Sequence, residues 1–205
     1  MARAKKRSKT GRGASRGKSK ASSQRASASR GRQDAIALLK ADHRQVETWF
    51  EQFEKTRSDE RKLELAGKIC EALKVHTTIE EEIFYPAFIE ATEEKDLHHE
   101  AEVEHDGAKK LIAQIEASSP SDDYYDAKVT VLSEMIKHHV KEEEQRDGMF
   151  AKARQSEMDL GTLGEQMAAR KAELMGEGGG RAVFGSRRSR NSGNVRGDVG
   201  VRAAR

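Results

Sequence analysis

The sequence contains one cysteine, two prolines and 5% aromatic residues among its 205 positions. The single cysteine, Cys70, excludes an internal disulfide and a cysteine-based zinc site, and we expect it to be a small core residue. No apolar run approaches the roughly 18 residues that a membrane-spanning helix needs. The N-terminus leads into no apolar segment of the kind found in signal peptides. These absences predict a soluble, cytoplasmic protein that does not enter a membrane.

Acidic residues are missing from the first 33 positions, which hold twelve Lys or Arg. This segment also lacks Leu, Ile, Val and aromatic residues, so residues 1–33 are predicted to be a disordered basic tail. Residues 177–205 hold seven Arg against two acidic residues and are rich in Gly, and we predict a second disordered tail there. The remaining 34–176 hold 19 basic and 33 acidic side chains, which makes an acidic domain between basic tails.

Between the tails, apolar residues recur at intervals of three and four, a spacing that predicts helices throughout. Ser58 is placed to cap the second helix, and Pro86 is expected to kink or end it. The four long stripes cover about residues 34–56, 59–86, 95–117 and 129–143. The predicted fold class is all-α: an up-down-up-down four-helix bundle at 34–155, followed by a short accessory helix at 156–176.

Each of the four stripes carries one histidine, and two of these histidines have a glutamate four positions later on the same helix face. One buried histidine is explained by a hydrogen bond to a carbonyl, but four of them beside two unpaired carboxylates would be costly as packing alone. Nitrogen and oxygen donors of this kind suit iron, manganese or zinc, and two carboxylates suit a dinuclear site. The candidate metal ligands are His43, His76, Glu80, His105, His139 and Glu143.

Four stretches carry this pattern: ADHRQV at 41–46, HTTIEEEIFYP at 76–86, EAEVEHDGAKKLI at 100–112 and HHVKEEE at 138–144. In this order they resemble the hemerythrin-like, or HHE cation-binding, family over about residues 34–155. The accessory helix is similar to a C-terminal extension of bacterial members. The resemblance implies that the four histidines are terminal ligands of two non-heme iron ions and that the two glutamates bridge them. It also implies that the ligand is dioxygen, a peroxide or another small diatomic molecule.

Two positions depart from the family pattern. Ala101 stands where the oxygen carriers of the family have a second histidine on the third helix, one turn before His105. The resemblance therefore favours oxygen, peroxide or nitric oxide sensing, or iron handling, over reversible oxygen carriage. In addition, QRDG at 145–148 precedes Met149 and Phe150, where family members commonly run into Phe-Pro. We expect this second departure to affect helix geometry more than the site.

Other polar residues near the motifs are alternative ligands. His138 with Glu142 repeats the four-residue spacing, although Leu132 and Ile136 favour His139 as the inward residue. His98 is a reserve ligand, and Glu102 forms with His105 a ferritin-like element that has no second copy. We expect the glutamates next to the candidate ligands to stay outside the site as solvated or supporting groups; these are Glu81, Glu82, Glu142 and Glu144.

The basic tails support a function of another class. Flexible arms rich in Lys and Arg and poor in aromatic residues bind phosphate backbones without reading bases. The alternative prediction is therefore a nucleic-acid-associated protein in which the metal site is structural or protective. Enzymatic turnover at the metal site is a third possibility that the sequence leaves open.

Overall fold

The computed structural model describes residues 33–178, and there are no strands among them. Within this part of the chain seven α-helices follow one another: α1 (Ala35–Lys55), α2 (Asp59–Ile79), α3 (Tyr85–Thr92), α4 (Lys95–Glu116), α5 (Tyr125–Glu144), α6 (Met149–Gln155) and α7 (Leu160–Gly178). A π-helical segment, Glu80–Phe84, joins α2 to α3. No helix in the described range is long and apolar enough to span a membrane. The predicted tails lie outside the described residues, apart from Gln33 and the last two residues of α7.

The helices α1, α2, α4 and α5 form the up-down-up-down bundle, which confirms the predicted all-α fold class. Asp34 caps α1 by accepting a hydrogen bond from the backbone N–H of Ala37 at 2.7 Å. Ser58 caps α2, as the sequence predicts, by accepting from the N–H of Arg61 at 3.3 Å. Glu93 adopts a left-handed conformation with φ of 59° and ends α3.

The second bundle helix widens before Pro86 and then continues. In the π-helical segment the backbone N–H of Tyr85 donates to the carbonyl of Glu80. Pro86 lies in the first turn of α3, where a missing N–H is tolerated. The expected interruption is therefore a π bulge, a feature found frequently at functional sites. This bulge carries Glu80, one of the predicted ligands.

The core of the bundle is divided into two hydrophobic clusters. The upper cluster includes Val46, Cys70, Leu73, Ala108 and Leu132. The lower cluster includes Leu39, Ile79, Ala101, Met149 and Met167. Along α1, α2 and α4 the predicted histidine lies between residues of the two clusters, and on α5 His139 lies between Leu132 of the upper cluster and the turn into α6, where Met149 belongs to the lower cluster. A polar layer thus crosses the bundle between two apolar layers. Every polar group in this buried layer needs a partner inside the protein.

Two glycines, Gly148 and Gly164, allow the close backbone approaches that position the last helices. The chain turns at Gly148, where an added Cβ would lie 2.1 Å from the carbonyl oxygen of Glu142, so only glycine fits the turn into α6. The accessory helix α7 packs beside α1 and α2, with Met167 fully buried. At its start, Gly164 approaches the backbone closely, since a Cβ would lie 2.6 Å from the carbonyl oxygen of Gln33. With 19 residues, α7 is nearly as long as the bundle helices.

Candidate metal centre

The six predicted ligands lie together in the polar layer, and none is more than 5% exposed. Their facing atoms form a closed ring, which we call the His/Glu ring. Nε2 of His43 lies 3.1 Å from Nε2 of His76. Oε2 of Glu80 lies 3.2 Å from Nε2 of His76 and 3.4 Å from Nε2 of His105. Nε2 of His105 lies 3.3 Å from Nε2 of His139. Oε2 of Glu143 closes the ring, 3.6 Å from Nε2 of His139 and 3.4 Å from Nε2 of His43.

The His/Glu ring has two halves. His43 and His76 converge with both glutamates, with all four donor atoms within 4.8 Å of one another. His105 and His139 converge with Glu80 in the same way. Each half offers two nitrogen donors, and the carboxylates lie between the halves. The arrangement could hold two cations, one at each histidine pair, with Glu80 shared between them.

Three of the four carboxylate oxygens of the ring lack a hydrogen bond of good geometry. Glu80 is 0% exposed, and neither of its carboxylate oxygens accepts a hydrogen bond of good geometry. Oε2 of Glu143 is also without one. The imidazole nitrogens 3.2–3.4 Å from Oε2 of Glu80 offset only part of the cost of burying this carboxylate, which is on the order of several kcal/mol for an ion in a protein interior. A bound cation would satisfy these oxygens, so the residues present fit a metal.

The pKa values of the ring residues indicate that the ring holds too little positive charge for its two carboxylates. Burial raises the pKa of the Glu143 carboxyl to about 8, and the neighbouring Glu80 acts in the same direction. Burial disfavours charge on His76, but the carboxylates of Glu80, Asp42 and Glu143 together outweigh burial and raise the pKa of His76 to about 10. The charge of His76 in turn holds the pKa of Glu80 well below 4.5 against the effect of burial. Protons on His76 and Glu143 thus supply charge that a metal would otherwise supply.

An outer carboxylate supports each ring histidine from a neighbouring helix. Nδ1 of His43, His105 and His139 bonds an outer glutamate at 2.7–2.8 Å, and Nδ1 of His76 faces an outer aspartate at 3.6 Å. Such a carboxylate fixes the tautomer, so that the Nε2 lone pair points at a metal. The pairs form a cycle around the bundle: Asp42 on α1 with His76, Glu81 with His105, Glu104 on α4 with His139, and Glu144 on α5 with His43.

Sequence reasoning placed Glu81 and Glu144 outside the ring, where the structure also has them, but it did not foresee Asp42 and Glu104 as supports. Each outer acid is adjacent in the sequence to a ring ligand of its own helix, yet it serves the histidine of the next helix. An acidic residue directly beside a ligand on each helix therefore indicates, from the sequence, an outer carboxylate that supports a ring histidine. The choice of partner depends on how neighbouring helices are rotated, which one sequence does not specify.

Tyr85 and Phe150 also border the ring, and both were missed as site residues. The Tyr85 hydroxyl lies 3.2 Å from Nε2 of His105 and donates to Oε1 of Glu143 at 3.4 Å. Burial first, and then Glu80, raises the pKa of this phenol well above 10. Phe150 stacks on the ring of His43 with centroids 5.9 Å apart. The turn at 145–148 therefore shapes the site itself, contrary to the expectation that it affects helix geometry more than the site.

The alternative ligands lie elsewhere. His138 is 60% exposed and pairs with Glu142 at 3.1 Å on the bundle surface, near Glu104. His98 packs its ring against Tyr85 and pairs with Glu102, so neither residue joins the His/Glu ring. Ala101 is buried in the lower cluster and offers no donor.

A small cavity borders the ring and shares lining residues with an open groove on the surface. A cavity of about 10 Å³, close to the size of one water molecule, is bordered by all four ring histidines. An open groove of about 340 Å³ between α1 and α5 shares His43, Ile136 and Val140 with this cavity. Because two of the three shared residues, Ile136 and Val140, are aliphatic, this side of the ring suits small uncharged molecules better than ions.

A four-helix bundle with a buried ring of histidines and glutamates defines a protein with a candidate histidine–carboxylate metal centre. The hemerythrin HHE cation binding domain family matches residues 34–151. This is more than half of the chain, and the chain belongs to that family. Family membership implies cation binding by a domain of this kind.

Two known proteins are similar to this chain. The crystal structure of a hemerythrin HHE cation binding domain-containing protein from Mycobacterium kansasii is similar with a TM-score of 0.60 and 26% sequence identity, over 71% of this chain and 89% of that one. A DNA nickase from Nostoc sp. is 30% identical over 107 residues, which are 52% of this chain. The chain spans 30% of the length of that nickase.

Proposed function

We propose that this chain is a non-heme di-iron protein that senses dioxygen, peroxide or nitric oxide, or handles iron. The observation that carries the proposal is the closed ring of two histidine pairs joined by two buried glutamates. Imidazole and carboxylate donors suit iron, and they also suit manganese or zinc. When bound, a pair of ferrous ions supplies two electrons to a small oxidant.

The proposed assignment of ligands follows the two halves of the ring. His43 and His76 would hold one ion, His105 and His139 would hold the other, and Glu80 and Glu143 would supply carboxylate oxygens to both halves. The outer glutamates that hydrogen-bond Nδ1 of His43, His105 and His139 keep a proton there, which would leave the Nε2 lone pair of these histidines free to bind a metal. Four nitrogen donors for two ions leave positions open to a further ligand, since Ala101 supplies none. This favours reaction or sensing over the reversible carriage of oxygen.

Residues around the ring would control the access of the small ligand and donate a hydrogen bond to it. Phe150 stacks on His43, and Ile136 and Val140 line the small cavity beside the ring, so these apolar side chains would limit the access of bulk water. The Tyr85 hydroxyl lies beside His105 and Glu143, where it can donate a hydrogen bond to a small molecule that enters the ring. Its raised pKa keeps the phenol protonated, so it remains a donor at neutral pH.

Full-length protein purified without oxygen and loaded with ferrous iron is expected to hold about two iron ions per chain, as measured by metal analysis. Admission of air or peroxide should produce a near-ultraviolet absorption from charge transfer between ligands and ferric iron. Zinc-loaded protein is the control and should show no such band. A stoichiometry of one ion or fewer with intact folding would contradict the dinuclear assignment.

A second candidate function is association with nucleic acid. Residues 1–33 hold twelve Lys or Arg and no acid, and a relative over 107 residues is named a DNA nickase. The acidic bundle itself repels phosphate, so binding would depend on the tail. We propose that the tail holds the metal-binding bundle near nucleic acid without base specificity.

Deleting residues 1–32 is expected to weaken binding to duplex DNA at 50 mM salt by at least tenfold, because the deletion removes twelve positive charges. Fluorescence anisotropy across a salt series measures the effect, and the salt dependence should flatten in the truncated protein. A variant with the tail residues in shuffled order is the control and should bind like the parent. Equal binding by the full-length and truncated proteins would exclude this role of the tail.

A further inference from the structure

The accessory helix α7 contacts the surroundings of the His/Glu ring through two adjacent residues. Nζ of Lys171 forms an ion pair with Oδ1 of Asp42, the outer carboxylate of His76. Arg170 donates from Nε to Glu82 of the π-helical segment at 2.7 Å. The same helix therefore reaches the support of His76 and the segment that carries Glu80.

The Asp42 support differs from the other three. The glutamates beside His43, His105 and His139 all hydrogen-bond Nδ1 at 2.7–2.8 Å. Oδ2 of Asp42 and Nδ1 of His76 face each other at 3.6 Å, and both are buried atoms without a hydrogen bond. The direction of the Asp42 carboxylate is therefore fixed less by His76 than by its other partner, Lys171.

The outer carboxylates also differ in the origin of their cationic partners. Glu144 pairs with Arg44 of α1 at 2.6 Å, and Glu81 pairs with Lys109 of α4 at 2.6 Å, so both partners belong to the four-helix bundle. Lys171 belongs to α7. Among the described residues, Asp42 is thus the outer carboxylate whose cationic partner, Lys171, lies outside the four-helix bundle.

We propose that Lys171 is a positioning residue of the metal centre. It holds Asp42 in line with Nδ1 of His76, and through His76 it sets the affinity of the half of the ring formed by His43 and His76. The other half, His105 and His139, has outer carboxylates that Lys171 does not contact. This inference rests on the proposed metal centre, and it makes one of the two ions sensitive to the docking of an accessory helix.

Removal of the Lys171 amine should leave α7 in place. Met167 is fully buried, and Leu163 and Leu174 pack against the lower cluster. Gly164 lies directly on the backbone at the start of α1. These apolar contacts hold the helix, so Lys171→Ala tests the ion pair rather than the packing.

The test is a titration of full-length metal-free protein with Co²⁺, followed by visible absorption, which resolves two binding steps. Lys171→Ala is expected to weaken one step about tenfold, as replacement of an outer partner typically does, and to leave the other within twofold. Lys171→Arg should restore that step. Lys109→Ala, which removes the partner of Glu81, should weaken the other step instead. Lys74→Ala removes an ion pair with Glu116 away from the ring and should change neither step.

The outcomes distinguish a failure of the proposed metal centre from a failure of the positioning role of Lys171. If the parent protein binds no Co²⁺, the proposed metal centre fails, and this inference fails with it. If the parent binds two ions and Lys171→Ala leaves both steps unchanged, the positioning role alone is overturned. The role is also overturned if Lys171→Ala weakens both steps, lowers the melting temperature of the metal-free protein and is not rescued by Arg.

Discussion

Glu80→Gln is expected to remove most of the metal from both halves of the His/Glu ring. Glu80 is fully buried between the two histidine pairs, and its Oε2 lies 3.2 Å from Nε2 of His76 and 3.4 Å from Nε2 of His105. Glutamine keeps the size of the side chain and removes the charge that balances two cations. Loss of an outer support costs about 10–100-fold in affinity, and loss of a shared ligand should cost more. Metal analysis after dialysis measures the retained ions per chain.

Two comparisons sharpen this experiment. His105→Ala removes a donor from one half only, so it should retain about one ion where Glu80→Gln retains almost none. Glu134→Gln changes an exposed residue on α5 and should retain both ions. Circular dichroism establishes whether each variant is folded. Two ions retained by a folded Glu80→Gln protein would show that the ring is not the metal centre.

Much of the site could be predicted because its ligands follow helix periodicity. A histidine in each apolar stripe and a glutamate one turn further fix which side chains point inward. The choice between His138 and His139 illustrates this: Leu132 and Ile136 indicate His139, and the structure buries His139 at 4% exposure while His138 is exposed. Periodicity within one helix therefore determines the faces of the bundle.

Features that depend on two helices were not predictable in the same way. The pairing of Asp42 with His76, and of Glu104 with His139, depends on how neighbouring helices are rotated about their axes. The position of Tyr85 depends on the π bulge, which shifts all later side chains of that helix relative to a regular α-helix. For α7 the apolar stripe predicts a helix that packs, but not the face on which it packs. Side-chain pairings between two helices leave no periodic pattern in the sequence from which they could be predicted.

The pKa values of the ring predict how the metal-free protein responds to pH. The folded protein holds a proton on Glu143 up to about pH 8 and on His76 up to about pH 10. In the unfolded chain these groups lose their protons near about 4.3 and 6.5. Between pH 6.5 and 8 the folded state therefore binds more protons than the unfolded state, and its stability falls as pH rises. His43 has a lowered pKa and affects stability in the opposite sense, but only below pH 6.5.

We expect the free energy of unfolding of the metal-free protein to fall by on the order of 1–2 kcal/mol per pH unit between pH 6.5 and 8. The metal-loaded protein should not follow this decline. Metal binding displaces the protons of His76 and Glu143, so its affinity rises with pH over the same range. At a hundredfold excess over Kd a metal bound only to the folded state adds about 2.7 kcal/mol. Urea unfolding of both forms at several pH values measures the two curves, which should diverge as pH rises.

Glu143→Gln provides the matched control, because it removes one of the two protons while keeping the size of the side chain. Without metal this variant should lose stability with pH less steeply than the parent, since it lacks the proton that Glu143 holds in the folded state up to about pH 8. With metal it should gain less than the parent, because one carboxylate between the two halves is gone. Parallel curves for the metal-free and metal-loaded parent would mean that metal binding displaces no protons from the ring. The buried carboxylates would then need a partner other than a metal, and the dinuclear assignment would be lost.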